Sequence, residues 1–569
     1  MSKLARASRA QRGAALILFA TVLILGIAWY TVGILGRAPV ATAEREAITG
    51  VALQSAKQAL LAYVARQAAR GTENSPGRLP CPEHPSVAGT VNAGQAAPIV
   101  GVPSTSPCSG IGRLPWETLG VDQIRDGYGE PLWLIVPTGT WTLVNSSTTL
   151  TINPGVAGQL TVDGAANAAV ALIVAPGAPV NTLGEPGVPT AGCAKVNQNV
   201  ASRNTAPLVP ANFLECANNA VTTPGAYTGV MTSPWSNDRV IAITAAEVMD
   251  AVAGPVADRL QRQVAPAMYD YYNATSLTSW GQRFFPNAST FASAPPATND
   301  LCGDTGVREG MPPTATVASG LCNTNWSSGG ATGLGALLSF GGCTSFASFI
   351  RCDFVALLGG LITPHITVNA PRVGYSFRWV DPSTITVSVN GGGQTAASTS
   401  NFGGSVSAVD GSASMSFDVT LPLLSIADTV SIRVPHPADA LLADARSAWY
   451  VKNGWDRYSY YAVSRAATSD PGAAVCTPGA TLTNCLSVSG LPSSTPTNDK
   501  RLVLLLMSRA LAGQTQPSTT LTDYLEGTNA NTGRAAYTSA TVTAAFNDRV
   551  AACPFKYQDA TGTSQVVCN

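Results

Sequence analysis

The sequence has few charged residues and few histidines. Charged residues make up 12% of the chain, the formal net charge is zero, and the three histidines are His84, His365 and His436. Ordinary soluble proteins carry about 25% charged residues. No polybasic domain is available to bind nucleic acid, so we expect no nucleic-acid partner. Three scattered histidines also offer poor material for acid-base catalysis at neutral pH.

Motifs that carry catalysis or bind metal ions are missing too. The sequence contains no G-x-S-x-G elbow, no H-E-x-x-H pair, no P-loop and no C-x-x-C. Asn299, Asp300 and Asp304 offer oxygen ligands around Cys302, but their spacing does not match an EF-hand, which favours a solvated loop over a calcium site. We therefore predict a protein that is not an enzyme and needs no cofactor or metal. An envelope enzyme would require a convergent polar pocket that the sequence does not disclose.

Cysteine is absent from the first 80 residues. An even number of cysteines, the lack of C-x-x-C and the few histidines predict disulfides in an oxidising compartment rather than zinc ligation. Short pairs such as Cys343 with Cys352 and Cys476 with Cys485 suggest themselves, but spacing alone leaves the connectivity open. The candidate disulfide cysteines are Cys81, Cys108, Cys193, Cys216, Cys302, Cys322, Cys343, Cys352, Cys476, Cys485, Cys553 and Cys568.

One long uncharged run is present near the N-terminus. Residues 14–35 contain no charged side chain, and residues 1–13 before them carry four basic residues and no acidic one. As a helix the run spans about 33 Å, enough for a hydrocarbon core of about 30 Å. The basic flank predicts a cytoplasmic N-terminus and an exported remainder. The run is too long for the apolar core of an ordinary signal peptide.

Helical spacing continues beyond this run. Pro39 predicts a kink, and apolar residues from Leu53 to Tyr63 then follow at helical spacing. Gly71 and Pro76 supply a stop signal. We expect one long helix whose first half lies in the membrane and whose second half packs an apolar stripe on a globular domain.

The residues around Gly13 carry a family resemblance. Gln11-Arg12-Gly13 followed by Ala14-Ala15-Leu16-Ile17-Leu18 resembles the prepilin leader of type IV pilins and type II secretion pseudopilins. The resemblance implies that a prepilin peptidase cuts after Gly13 and that Ala14 becomes the N-methylated first residue. It also implies an inner-membrane location and other pilin or pseudopilin subunits as partners.

The resemblance is incomplete at the fifth mature position. Most family members have glutamate there, whereas this chain has Leu18 and no acidic residue before Glu44. In the family that carboxylate is thought to neutralise the amino terminus of a neighbouring subunit, and a carboxylate in a bilayer is costly unless paired. The member without it is the large minor pseudopilin at the tip. Size and Leu18 therefore favour a minor or tip subunit.

A plain, uncleaved membrane anchor is the alternative for the N-terminal helix. The chain would then be a membrane-tethered surface adhesin or binding protein that joins no filament, with its central β-rich part as the functional module. Processing after Gly13 discriminates the two functions.

The region after the helix predicts antiparallel sheet. Apolar runs at 132–136, 168–174 and 239–244 are typical of strands. Residues 245–272 predict a helix broken at Gly254-Pro255. The Leu-Pro-Cys-Pro loop and Leu-Pro-Trp turn before these strands resemble uncharacterised pilin-like proteins, and a Cys81–Cys108 disulfide would staple the loop between them.

The C-terminal part echoes this order. Residues 455–463 and 501–507 parallel the first two apolar runs, and Trp235-Ser236-Asn237-Asp238-Arg239-Val240 parallels Phe546-Asn547-Asp548-Arg549-Val550. This indicates a repeated sheet unit. We interpret Asn-Asp as turn chemistry, with the arginine pairing to the aspartate, rather than as a ligand site.

Two further regions differ in pattern from the sheet units. Alternation of apolar and polar residues over 366–434 predicts an inserted β-sandwich-like module, with Asn390-Gly391 as a hairpin signal. Residues 286–345 show little periodicity and read as disulfide-pinned loops. An aromatic cluster that starts at Trp449 is interpreted as core rather than as a sugar or partner surface.

The predicted fold class is α+β, with a long N-terminal helix on antiparallel sheet, an inserted β-sandwich-like module and disulfide-pinned loops. The predicted location is the bacterial inner membrane, single-pass, with the exported domain in the periplasm or on a cell-surface filament. The predicted parts are a basic leader at 1–13, a transmembrane helix at 14–35, its continuation at 36–70, a pilin-like α+β domain at 71–285, a loop region at 286–365, the β-rich module at 366–435 and a C-terminal α+β repeat at 436–569.

Overall fold

The structure is a computed structural model of the whole chain. It describes residues 4–105, 108–137, 139–142, 150–180, 198, 200–204, 207–215, 218, 226–229, 237–273, 284–291, 301–304, 306–314, 327–329, 338–346, 349–356, 365–370, 377–378, 384–396, 399–406, 413–419, 428–435, 438–439, 441–442, 444–468, 476, 484–491, 498–531, 533 and 535–551.

The chain contains mixed α and β structure with several antiparallel sheets, in agreement with the predicted class. The described helices are α1 (Leu4–Ala68), α2 (Trp116–Leu119), α3 (Ala245–Arg259), α4 (Ala265–Asn273) and α5 (Ala448–Lys452).

Helix α1 is continuous from Leu4 through Pro39 to Ala68. Side chains at 4–20 and 26–40 lie outside the described set, and with them most of the predicted transmembrane segment at 14–35. Within the described residues, no helix combines the length and the hydropathy that a bilayer crossing requires. The C-terminal turns bury residues at spacings of three and four, namely Ala52, Leu53, Ala56, Leu60, Val64 and Ala68.

The predicted break at Gly254-Pro255 is wrong. Helix α3 runs through Pro255, and a π-helical turn at Leu260–Val264 joins it to α4. Burial of Val248, Val252 and Val256 along one face of α3 explains the continuity, because tertiary packing of an apolar face outweighs the local cost of proline.

The described chain divides into two compact units. The first comprises residues 1–61, 79–148 and 158–244, and the second comprises 62–78, 149–157 and 245–569. The strands of the first unit are β1 (Ile111–Arg113), β2 (Trp133–Ile135), β3 (Leu160–Val162), β4 (Ala165–Ala169), β5 (Ala171–Ala175), β6 (Ala226–Tyr227) and β7 (Arg239–Ile243).

The first unit is built on a four-stranded antiparallel sheet in the order β1-β2-β5-β7. A smaller sheet, β4-β3-β6, has β3 and β6 parallel. Trp133, Val174 and Tyr227 lie in the apolar core of the first unit, and the ring centroids of Trp133 and Phe213 are 5.0 Å apart. The predicted strands at 132–136, 168–174 and 239–244 are therefore confirmed, with β5 lying slightly later than predicted.

The strands of the second unit are β8 (Glu309–Gly310), β9 (Ser327–Gly329), β10 (Leu338–Ser345), β11 (Phe349–Ala356), β12 (His365–Ala370), β13 (Phe377–Arg378), β14 (Thr386–Val389), β15 (Thr395–Ala396), β16 (Thr399–Val406), β17 (Ala413–Val419), β18 (Asp428–Pro435), β19 (Ala438–Asp439), β20 (Ser459–Val463), β21 (Ser487–Ser489), β22 (Leu502–Leu506), β23 (Ala536–Thr538) and β24 (Arg549–Ala551).

A second four-stranded sheet, β8-β20-β22-β24, has the order and register of the first. Trp133 is opposite Val174, which is opposite Val240; in the second sheet Tyr460, Leu505 and Val550 form the same row. The parallel pair β3–β6 also has a counterpart in β21–β23. One sheet pattern thus occurs twice along the chain.

The inserted β-rich module lies in sequence between β8 and β20. It contains a five-stranded sheet, β10-β11-β18-β14-β15, and a four-stranded sheet, β16-β17-β12-β9. Alternate residues are buried along β11, β17 and β18, which is the pattern of packed sheet faces. The strands begin at Ser327, so the predicted boundary at 366 is too late. Glycine and serine in β9 and β10 hide the apolar alternation from a sequence reading.

Three disulfides connect described cysteines: Cys81–Cys108, Cys343–Cys352 and Cys476–Cys485. Cys302 is also disulfide-bonded. The remaining candidates, Cys193, Cys216, Cys322, Cys553 and Cys568, lie outside the described residues. The aromatic cluster is core, as predicted, because its members Trp449, Tyr450, Trp455, Tyr458, Tyr460 and Tyr461 are all buried.

Candidate functional site

The predicted leader residues lie in α1. Gly13, Ala14 and Leu18 have helical backbone, but their side chains are outside the described set. Asn299 and Asp300 lie outside the described residues as well. Asp304 accepts a hydrogen bond from the backbone N–H of Thr290 at 2.6 Å. Across the described part of the chain, no group of three or more acidic, histidine or cysteine side chains is placed to hold a metal ion.

Two polar contacts connect helix α1 to the first sheet. Lys57 Nζ donates to the carbonyl of Ala242 on β7 at 2.9 Å. Arg239, the first residue of β7, forms an ion pair with Glu46 of α1 at 2.5 Å. The predicted pairing of Arg239 with the adjacent Asp238 is therefore wrong, since the helix supplies the carboxylate.

Asp238 belongs to a buried acidic network at the entry of β7. Its Oδ2 accepts the backbone N–H of Glu215 at 3.0 Å and the Asn218 amide at 3.1 Å. In return, Glu215 Oε2 accepts the backbone N–H groups of Asn237 and Asp238 at 3.0 and 3.2 Å. Both carboxyl groups are fully buried.

Asn218 and Asn237 extend the network to two further segments. The Asn218 side chain accepts the Thr228 N–H at 3.0 Å and donates to the Thr228 carbonyl at 3.3 Å. Asn237 Nδ2 donates to the carbonyl of Ala178, just beyond β5, at 2.7 Å. Four separate stretches of chain are thereby held at one end of the sheet.

The second unit contains the same network. Asp548 Oδ2 accepts the Glu526 N–H and the Asn529 amide, each at 2.9 Å. Glu526 Oε2 accepts the N–H groups of Asn547 and Asp548 at 2.9 and 3.2 Å. Asn529 pairs with the backbone of Thr538, and Asn547 donates to the carbonyl of Arg509. We call the two networks the Asp238 clasp and the Asp548 clasp.

Each clasp places two carboxyl groups side by side in a buried site. Burial, and then the neighbouring Glu215, raises the pKa of Asp238 well above its ordinary value. Burial likewise raises the pKa of Asp548 to about 8, with Glu526 adding to the effect. A proton on the aspartate removes the repulsion between the two carboxylates. The clasps are suited to holding strands together. The predicted local turn role of Asn-Asp is wrong, because the side-chain partners of Asn237 and Asp238 lie 20 to 59 residues away along the chain.

Sequence reasoning found the Asn-Asp-Arg-Val half of each clasp and missed the other half. The missing signal was Phe213-Leu214-Glu215 with Asn218, matched by Tyr524-Leu525-Glu526 with Asn529. Ala226-Tyr227-Thr228 and Ala536-Tyr537-Thr538 match in the same way. All these pairs have the same separation along the chain to within one residue.

Two clefts lie beside the sheet of the second unit among the residues that the structure describes. One, of about 390 Å³, contains Glu309, whose carboxylate accepts the Tyr537 hydroxyl at 3.1 Å and the Gly533 N–H. In the first sheet the residue at the register position of Glu309 is Ile111, a buried core residue. The other cleft, of about 430 Å³, contains Arg509 and Arg549 beside helix α3.

Comparison of the chain with family models, with curated proteins and with solved structures gives no match.

Proposed function

We propose that this chain is a non-enzymatic minor pilin or pseudopilin subunit, placed at the tip of a type IV pilus or type II secretion filament. The observation that carries the proposal is the form of α1. It is one helix from Leu4 to Ala68, and its C-terminal turns bury Leu53, Ala56 and Leu60. Such a helix joins an N-terminal assembly segment to a folded domain.

The membrane part of the proposal rests on residues 14–35. Their length and lack of charge suit a single bilayer crossing, and the basic residues before them favour a cytoplasmic N-terminus. The disulfides of the remaining chain support an oxidising compartment beyond the membrane. Leu18 supports a tip position, because a subunit with none above it needs no carboxylate to pair with a neighbour's amino terminus.

The test is the chemical identity of the N-terminus. The full chain is expressed in a host with and without prepilin peptidase, and its N-terminal peptide is identified by mass spectrometry. We expect a chain that starts at methylated Ala14 only when the peptidase is present. Gly13→Leu should retain the leader, whereas the matched control Gly26→Leu should be processed normally. An intact leader in the unsubstituted chain with active peptidase would refute the filament assignment.

A membrane-tethered adhesin is the second candidate, and the tip of hairpin β10–β11 favours it. Phe346 and Phe349 stack there with ring centroids 4.7 Å apart, and the Arg433 guanidinium lies 3.5 Å above the Phe349 ring. Phe346 is 41% exposed. Exposed aromatic groups of this kind are common in binding surfaces. Retention of the leader together with surface binding lost in Phe346→Ala would favour this function.

A further inference from the structure

The cleft of about 430 Å³ in the second unit combines basic and apolar groups. Helix α3 contributes Asp250 and Ala253, the turn after β22 contributes Arg509 and Leu511, and the β24 segment contributes Arg549. Val542 forms part of the wall and is 43% exposed. The cleft therefore offers two guanidinium groups and one carboxylate next to apolar surface.

Arg549 has a buried polar atom without an acceptor. Its Nε is shielded from solvent and makes no hydrogen bond to any residue that the structure describes. The guanidinium lies flat over Gly254 of α3, where an added Cβ would be 3.5 Å from Nη1 and 3.6 Å from Cζ. A buried cationic N–H without a partner is costly, so an anion bound here would be favourable.

The first unit shows how the corresponding arginine is normally satisfied. Arg239 starts β7 at the register position where Arg549 starts β24, and it is paired with Glu46 on the adjacent helix. In the second unit the helix carboxylate Asp250 is bound by Arg509 instead, with Nε to Oδ1 at 2.6 Å. Arg509 corresponds to Ala178 of the first unit, because each accepts, through its backbone carbonyl, the asparagine amide of its clasp. The second unit therefore has an arginine where the first has Ala178, and no carboxylate among the described residues pairs with Arg549.

Two other polar side chains of the cleft donate hydrogen bonds within its wall, while Asn547 Oδ1 is buried without a hydrogen-bond partner among the described residues. The Ser508 hydroxyl donates to the Asn547 carbonyl at 3.0 Å, and the Asn547 amide donates to the Arg509 carbonyl at 2.8 Å. The bond to Asp250 raises the pKa of Arg509, which keeps that guanidinium charged. Two fixed cations and one anion leave the cleft with a net positive charge.

We propose that this cleft is a binding site for a carboxylate that carries a short aliphatic group. The fork of Arg549 receives the two carboxylate oxygens, Arg509 lies beside them, and Leu511 and Val542 contact the aliphatic part. Guanidinium matches the planar geometry of a carboxylate with two parallel hydrogen bonds. The apolar walls distinguish this ligand class from inorganic phosphate.

The test uses the full-length protein in detergent with sodium butyrate as the probe. Calorimetry and thermal melting are recorded at constant ionic strength, with sodium chloride, inorganic phosphate and butanol for comparison. We expect saturable butyrate binding at concentrations on the order of 1–10 mM, as suits a ligand of this size. Butanol should not bind, and phosphate should bind more weakly than butyrate.

Matched variants identify the site. Arg549→Gln should weaken butyrate binding about tenfold, the loss expected for one bidentate charged contact. Arg239→Gln, at the equivalent position of the first unit, should leave butyrate binding unchanged. Asp250→Asn should strengthen binding several-fold because it removes the competing carboxylate. Absence of saturable binding, phosphate binding as tight as butyrate, or equal effects of the two arginine variants would overturn the proposal.

Discussion

The carboxyl group of Asp548 links the stability of the second unit to pH. Its pKa is raised from an ordinary 3.8 to about 8 by burial and by Glu526. The folded state therefore holds a proton that the unfolded chain releases above about pH 4. The stabilisation is complete below pH 4 and is lost as the pH rises towards 8. The pKa of Asp238 is shifted in the same direction.

We therefore predict that the melting temperature falls between pH 5 and pH 8. The slope for one such group is at most about 1.4 kcal/mol per pH unit. Asp548→Asn should flatten this dependence because an amide does not titrate, and its oxygen still accepts from the Glu526 N–H and the Asn529 amide. Thermal melts followed by circular dichroism at fixed ionic strength measure the pH dependence of the unsubstituted protein and of the variant. The partly exposed, ion-paired Asp444 is the control, and Asp444→Asn should keep the original slope.

A variant slope identical to that of the unsubstituted protein would contradict a proton held by Asp548. So would a melting temperature that rises steadily from pH 5 to pH 8. The comparison separates the clasps from the many surface carboxylates, whose contribution to pH dependence is small.

Strand β8 depends on a glycine at the same place as strand β1. A Cβ on Gly310 would overlap the carbonyl oxygen of Ser289, and a Cβ on Gly112 would overlap that of Glu83. In both cases the residue that supplies this oxygen forms a β-bridge with the residue after the glycine. Ser289 pairs with Met311, and Glu83 pairs with Arg113. The close approach of two backbones therefore requires glycine.

We predict that Gly310→Ala and Gly112→Ala each lower the free energy of unfolding by about 2–4 kcal/mol. Gly393→Ala is the matched control, because nothing lies within 4 Å of its added Cβ, and it should change stability by less than about 0.5 kcal/mol. Urea unfolding of the three variants measures these differences. A Gly310→Ala variant as stable as Gly393→Ala would show that the two backbones do not approach this closely.

The elements differ in how well the sequence predicts them. Strands β2, β5 and β7 follow from short apolar runs bounded by turn residues. Strand β10 was missed because Leu338–Ser345 contains two glycines, a cysteine and two serines, and its sheet position comes from pairing with β11. The break predicted in α3 failed because packing of its apolar face outweighed the proline.

The clasps show the same limit. The sequence singled out Asn237 and Asp238 but predicted local turn bonds for them, since Asx chemistry is usually local, whereas their partners are distant along the chain. Glu215 is not recognisable from its local sequence, because its partners lie about twenty positions away and its role depends on a buried geometry. A search for equal separations along the chain would have found it, since Glu526 repeats its context.

On the scale of the whole molecule, the same sheet occurs twice, and between its first two strands the second copy carries a long insertion. Strands β1 and β2, which pair through Arg113 and Trp133, are joined by a short connection. The corresponding strands β8 and β20 flank the entire β-rich module. Each sheet has its own apolar core, around Trp133 in the first unit and around Tyr460 in the second. The module is therefore an addition to a sheet whose pattern is complete without it.

We predict that the protein folds when residues 327–435 are replaced by a short Gly-Ser linker. Loop length adds little entropic cost, and the deletion removes both Cys343 and Cys352, so no half-disulfide remains. The melting temperature should change by only a few degrees, and Cys476–Cys485 should still form, as checked by circular dichroism and mass spectrometry. A longer deletion that starts at Val307 removes β8 and should abolish cooperative melting. We expect only the longer deletion to disrupt the second sheet, because it removes β8, whose Gly310 pairs with Tyr461 of β20. Loss of cooperative melting in both deletions would mean that the second sheet needs the module.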